Sequence, residues 1–141
     1  MTELQTVPRQ PLPDGWEALV EQSRAVRQHA YAPFSNFQVG AALQVEGGEV
    51  FSGCNVENSS YGLTICAERS AAVAAVSAGF RDFRAISISL SGSPVPCGAC
   101  RQFLYEFNPN LLCLLDRIGD SEPPVCARLN DLLPGGFHLS N

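Results

Sequence analysis

The chain has little charge and no concentration of positive charge. Of its 141 residues 16% are charged, the net charge is −5, and the nine basic residues are scattered without a run. Affinity for nucleic acid rests on clustered arginine and lysine neutralising phosphates, so this balance argues against a polyanion partner and for a small neutral ligand. No apolar stretch approaches the roughly 18 residues that cross a bilayer, so no membrane partner is expected. The first residues, Met1-Thr2-Glu3-Leu4, carry no cationic lead into an apolar run, so no secretory signal is expected and the cytoplasm is the expected location. The six cysteines stay reduced there, which excludes a disulfide framework. Histidine is limited to His29 and His138, which read as a helix-surface and a tail residue. There is no repeat, linker or low-complexity tract.

The length suits one domain with a core of its own, and 45% hydrophobic residues suits a globular protein. Residues 1–13, with Pro8, Pro11 and Pro13, read as a flexible lead-in, and 14–141 as a single catalytic domain. Asp14 and Glu17 stand as a capping box before an amphipathic helix that ends ahead of Pro33. Phe37–Val45 and Glu49–Val56 form a hairpin across Glu46-Gly47-Gly48, and Ala67–Ala78 is an alanine-rich helix stopped by Gly79. A strand over Arg84–Leu90, with Ile86, Ile88 and Leu90 on one face, leads to a helix over Gly98–Phe107. Then come a buried strand at Leu111–Leu115, a last strand at Val125–Leu129 and a short helix at Asn130–Leu133. Alternating strands and helices indicate an α/β layered domain with mostly parallel pairing.

The chemistry-bearing residues are Cys66-Ala67-Glu68 and Pro96-Cys97-Gly98-Ala99-Cys100. Cys97 and Cys100, at i and i+3 of a helix start, share a face. Cys66 opens another helix, and helix N-termini favour the thiolates that zinc needs. Three protein ligands are the catalytic number for Zn²⁺, one position being left for water. Glu68, an acid two residues after Cys66, can move protons on and off whatever occupies that open position. Residues i and i+2 of a helix do not face each other, so Cys66 and Glu68 can cooperate only if the helix begins between them. Arg69 then shares the side of Cys66 and is expected to donate to its sulfur, offsetting the net negative charge of a three-thiolate zinc site. The plainer readings are a redox C-x-x-C pair and structural zinc. The first sits early in a βαβ unit, and the second wants a fourth ligand. Cys54, Cys113 and Cys126 lie in predicted strands and read as small buried hydrophobes.

Cysteine ligands, a glutamate and a later P-C-x-x-C together are the signature of zinc nucleobase deaminases. From Tyr31 to Phe137 the chain resembles the short, homotetrameric cytidine deaminases. The likeness is carried by Tyr31-Ala32-Pro33-Phe34-Ser35-Asn36-Phe37-Gln38-Val39-Gly40-Ala41-Ala42-Leu43, Gly53-Cys54-Asn55-Val56-Glu57-Asn58, the cysteine segments Thr64-Ile65-Cys66-Ala67-Glu68-Arg69-Ser70-Ala71 and Pro96-Cys97-Gly98-Ala99-Cys100-Arg101-Gln102, and Leu132-Leu133-Pro134-Gly135-Gly136-Phe137. It implies a three-layer α/β/α fold with a five-stranded mixed sheet, and one Zn²⁺ per chain on Cys66, Cys97 and Cys100. It also implies hydrolysis of cytidine and deoxycytidine to uridine and deoxyuridine. Glu68 would protonate N3 and pass a proton to the leaving amine. Asn55 and Glu57 would hold the ribose 3′-hydroxyl, Phe37 and Ala67 would contact the nucleoside, and Phe137 would stack over the base in a neighbouring subunit's site of a homotetramer. A same-fold deaminase of another cytosine-containing ligand, such as blasticidin S, is the nearest rival, and a non-catalytic zinc-binding module a more distant one.

Overall fold

The computed structural model describes residues 8–119 and 122–139. Six strands form one sheet: β1 (Gln10–Pro11), β2 (Gly40–Val45), β3 (Val50–Cys54), β4 (Phe83–Leu90), β5 (Leu112–Arg117) and β6 (Val125–Arg128). Their spatial order is β1-β6-β5-β4-β2-β3. The helices are α1 (Glu17–Arg27), α2 (Ala67–Ser77), α3 (Gly98–Tyr105) and α4 (Leu129–Leu132). The α/β class agrees with the expectation, while two features of the sheet correct it. Among the named strands of the described residues, only β4 and β5 pair in parallel, across the α3 crossover, and the other strand pairings are antiparallel. The sheet also gains a sixth strand from the proline-rich lead-in, because Gln10 and Pro11 pair with Cys126 and Val125 of β6. Proline is tolerated there because β1 is an edge.

Alternation along the strands divides the core between two faces. Ile86, Ile88 and Leu90 of β4 pack with Ala41 and Leu43 of β2 against Ala67, Ala71 and Ala75 of α2 and Leu104 of α3. The opposite face, with Ala42, Ala85 and Leu114, is covered by Leu19 and Val20 of α1. Under α1 lies a polar seam. The Ser23 hydroxyl meets those of Ser87 and Ser89 at 2.8 and 2.7 Å, and Ser89 donates to the buried Asp116 at 2.6 Å. Arg24 closes the seam with two donations of 2.7 Å to Asp116. Each buried polar group there has a partner, as a dry interior requires.

Helix α1 begins without the full capping box. Glu17 accepts from the Gly15 N–H at 3.0 Å, but Asp14 supplies no cap and Trp16 occupies the N-cap position. The helix stops at Arg27, well ahead of Pro33.

Gly53 sets the distance between α2 and the sheet. A Cβ there would lie 2.4 Å from the Ala71 nitrogen and 2.7 Å from the Ala67 oxygen. Both are backbone atoms that cannot swing aside. Gly53→Ala is therefore expected to cost about 1–3 kcal/mol of stability and to displace the helix carrying Glu68. Thermal melting paired with activity measures this, and an unchanged melting midpoint would refute it.

Candidate active site

Both cysteine segments place their sulfurs at helix starts. Cys66 is the N-cap of α2, with extended backbone (φ −71°, ψ 153°), and Ala67 is the first helical residue. The helix thus begins between Cys66 and Glu68, which releases the cysteine from helical geometry and lets both side chains face one cavity. Cys97 caps α3 in the same way (φ −64°, ψ 166°), and Cys100 follows in its first turn. The three Sγ atoms lie within 4.8 Å of one another. Arg101 pins the α3 start by donating to the carbonyls of Pro96 (2.7 Å) and Leu132 (2.8 Å).

The sulfurs' electrostatics describe a donor set that lacks only positive charge. Hydrogen bonding from Cys100, then from Arg69, pulls the Cys66 thiol down to about 5, against the opposing effect of burial. Cys100 moves the other way, because its proton is held between it and Cys66, with burial and the nearby Glu68 adding to the rise. One thiolate forms readily at Cys66 and Cys100 resists becoming the next, which is repulsion that a divalent cation among the sulfurs removes. The residues fit a zinc ion on this ground. Arg69 Nη2 donates to Cys66 Sγ at 3.2 Å, while its buried Nε has no hydrogen-bond partner among the described residues.

Glu68 is 5% exposed, and burial pushes its carboxyl up to about 7. It lines a cavity of about 300 Å³ with Phe37, Asn55, Glu57, Cys66, Ala67 and Cys97. Six of the residues singled out in the sequence besides Glu68 therefore share one wall system. Phe137 stands apart, 65% exposed and tied to α3 through Gln102, whose amide donates to its carbonyl at 2.8 Å and accepts its N–H at 3.1 Å. Larger clefts of about 460 and 680 Å³ flank β1 but contain neither Glu68 nor the three-thiol cluster.

The two polar residues of the 53–58 segment are more committed than their spacing indicates. They do not lie on a regular strand, since β3 ends at Cys54. Asn55 is buried; its Oδ1 accepts from the Val39 N–H and its Nδ2 donates to the Phe37 carbonyl, both at 2.8 Å. One amide hydrogen of Asn55 is left for a ligand. The Glu57 carboxylate accepts from the backbone N–H groups of Phe34 (3.0 Å) and Ser35 (3.2 Å) and from the Ser35 hydroxyl. Sequence reasoning missed Ser35, whose only signal was its place in the Tyr31–Leu43 segment. It also missed Thr64, whose signal was its place at the head of the Thr64–Ala71 segment, and Ser93 and Val95, loop residues of the cavity wall whose identities carry no pattern.

The geometry has counterparts among known proteins. A sequence family described as "cytidine and deoxycytidylate deaminase zinc-binding region" matches residues 15–115. Cytidine deaminase of Sporosarcina psychrophila is 46% identical over 125 residues, covering 86% of this chain and 90% of its own. That of Mycobacterium tuberculosis is 42% identical over 133 residues, covering 92% and 96%. The crystal structure of cytidine deaminase from Burkholderia pseudomallei superposes with a TM-score of 0.81 at 47% identity, over 86% of this chain and 98% of that one. With a three-thiol cluster, two of whose cysteines line one cavity with a buried glutamate, and a match over most of its length, this chain belongs to the zinc-binding cytidine and deoxycytidylate deaminase family.

Proposed function

We propose that this protein hydrolyses cytidine and deoxycytidine to uridine and deoxyuridine with release of ammonia. The observation that carries this reading is a buried, proton-retaining carboxyl, Glu68, in the same small cavity as Cys66 and Cys97 of the cysteine cluster and the polar pair Asn55 and Glu57. Cys66, Cys97 and Cys100 would hold a zinc ion, and the chemistry it would supply there is the Lewis acidity that makes water nucleophilic at neutral pH. Glu68 delivers a proton to N3 of the base, takes one from the attacking water, and passes it to the amino group that leaves. A carboxyl with affinity for protons near neutrality suits a group that must both give and accept. Phe37 packs against the nucleoside, Ala67 closes the wall beside Glu68, and the sugar is held by Asn55, which donates its remaining amide hydrogen, and by Glu57, which accepts. Arg69 moderates the charge of the sulfurs through its bond to Cys66.

The reading extends to a homotetramer in the cytoplasm whose sites are completed by neighbours. Tyr31, Phe34, Tyr61 and Leu63 are all about half exposed or more, an apolar surface beside the cavity mouth that a second copy would cover. Phe137, exposed and outside its own chain's cavity, is available to a neighbour's site. Among the described residues no helix is long and apolar enough to cross a membrane.

One purified sample tests these points together. With cytidine, deoxycytidine, cytosine and blasticidin S supplied separately, ultraviolet loss and ammonia release are expected for the two nucleosides only. Light scattering is expected to give about four times the 15.1 kDa chain mass. Turnover of blasticidin S alone, or an active species of single-chain mass, would overturn the corresponding part.

A further inference from the structure

We propose that Ser35 is a positioning residue that aims the Glu57 carboxylate, and so makes the site select nucleosides carrying a 3′-hydroxyl. The inference deepens, and rests on, the reading of Glu57 as a sugar contact. The segment from Phe34 to Phe37 folds into a cup around the carboxylate. Asn36 sits at φ 57°, in the left-handed region that asparagine tolerates, and its N–H bonds to the Ala32 carbonyl at 2.9 Å. That reversal directs the N–H groups of Phe34 and Ser35 at Glu57 Oε1, while the Ser35 hydroxyl donates to Oε2.

The direction of the hydroxyl is determined by its other bond. Ser35 Oγ accepts the Phe37 N–H at 3.0 Å, so its hydrogen is left to point at Glu57. Ser35 thus links the backbone under Phe37, a wall of the cavity, to the carboxylate. A carboxylate has about four lone-pair sites. Three are occupied here, which leaves one, on a group that can only accept. Glu57 remains ionised to unusually low pH, chiefly through the Ser35 hydroxyl and then through the backbone donors. A ligand group meeting it must therefore donate, as a sugar hydroxyl does. Glu57 and Thr64 stand between the catalytic cavity and a smaller recess of about 200 Å³ that contains Ser35, Phe34 and Tyr61. Ser35 reaches the carboxylate from the far side and is not among the residues lining the cavity.

The test compares deoxycytidine with 2′,3′-dideoxycytidine, which differ only at the 3′-hydroxyl. The holoenzyme is assayed as wild type, Ser35→Ala, Ser35→Thr and Glu57→Ala. Ser35→Ala is expected to raise KM for deoxycytidine about tenfold, as loss of one hydrogen bond to a charged group allows. Its kcat should stay within twofold and its KM for the dideoxy compound should not change. Ser35→Thr, which keeps the hydroxyl, should restore the wild-type KM. If wild type discriminates, Glu57→Ala abolishes the discrimination and Ser35→Ala leaves it intact, the Ser35 assignment is wrong while the Glu57 reading stands. Equal loss of kcat on both substrates in Ser35→Ala would also overturn it, by pointing to general loop damage. Equal KM values for the two nucleosides in the wild type would overturn the Glu57 reading and the inference with it.

Discussion

Glu68→Gln is expected to lower kcat by at least about 10²–10⁴-fold while zinc stays bound at one ion per chain. The substitution keeps the size and planarity of the side chain and removes only its capacity to carry a proton. The proposed reaction moves protons to N3 and to the leaving amine, and the cavity offers no replacement among its described residues. Glu68 is the acid beside the cysteine cluster, and Glu57 has its carboxylate occupied by Phe34 and Ser35. The loss corresponds to about 3–5 kcal/mol of barrier lowering. Folding should not suffer. Burial already disfavours the ionised form of Glu68, and a neutral amide in the same position avoids that cost. Single-turnover and steady-state rates, metal content by atomic absorption and a thermal melt on one preparation check all three statements. Near-normal turnover, or zinc lost along with activity, would refute the assignment of Glu68 as a proton carrier that is not a ligand.

Cys100→Ser is expected to empty the metal site and with it the activity. Cys100 is fully buried, and its sulfur stands within 4.8 Å of both Cys66 and Cys97. A serine hydroxyl does not ionise at neutral pH and is a poor zinc donor, so two protein ligands remain where three held the ion. Affinity should fall by more than about 100-fold. After dialysis the zinc content should approach zero and turnover should sink to the uncatalysed background. The thermal midpoint should fall as well, because an ion on the three sulfurs would tie the starts of α2 and α3 together and binding to the folded state alone stabilises it. Cys113→Ala is the control. Cys113 is buried in β5, with its thiol pushed up to about 12 by burial, and lies outside the three-sulfur cluster. Its replacement should keep zinc. Full zinc occupancy in Cys100→Ser, or zinc loss in Cys113→Ala, would mean that the ligand set is wrong.

Much of this was legible residue by residue. The start of α2 at Ala67 follows from demanding that Cys66 and Glu68 face one place. The alternation of Ile86, Ile88 and Leu90 appears in the structure as one face of β4. Elsewhere local pattern was silent or misleading. Residues 8–13 carry prolines and no periodicity, so nothing in them announces a strand, and β1 exists because β6 offers an unpaired edge. Ser87 and Ser89 alternate with isoleucines and look like a solvated face, yet α1 covers them and Ser23 and Asp116 complete their bonding. Asn55 and Glu57 look like a free polar pair, yet both are bonded to the 34–39 segment. Each miss concerns a partner more than ten residues away, which no local spacing encodes.

The sequence by itself determined the reactive groups of this protein: three thiols, one acid and an arginine three residues after Cys66. Ligand spacing at i and i+3, and a helix boundary beside a cysteine, are properties of a few consecutive residues and need no distant information. Only the tertiary structure decided that these groups form one site. Cys66 and Cys97 sit at the starts of two different helices with the whole of β4 between them in the chain. They meet because both helices bury apolar faces on the same side of one sheet, with Gly53 admitting α2 close to it. The same packing closes Glu68 off from water, and that burial gives an ordinary carboxyl an affinity for protons near neutrality.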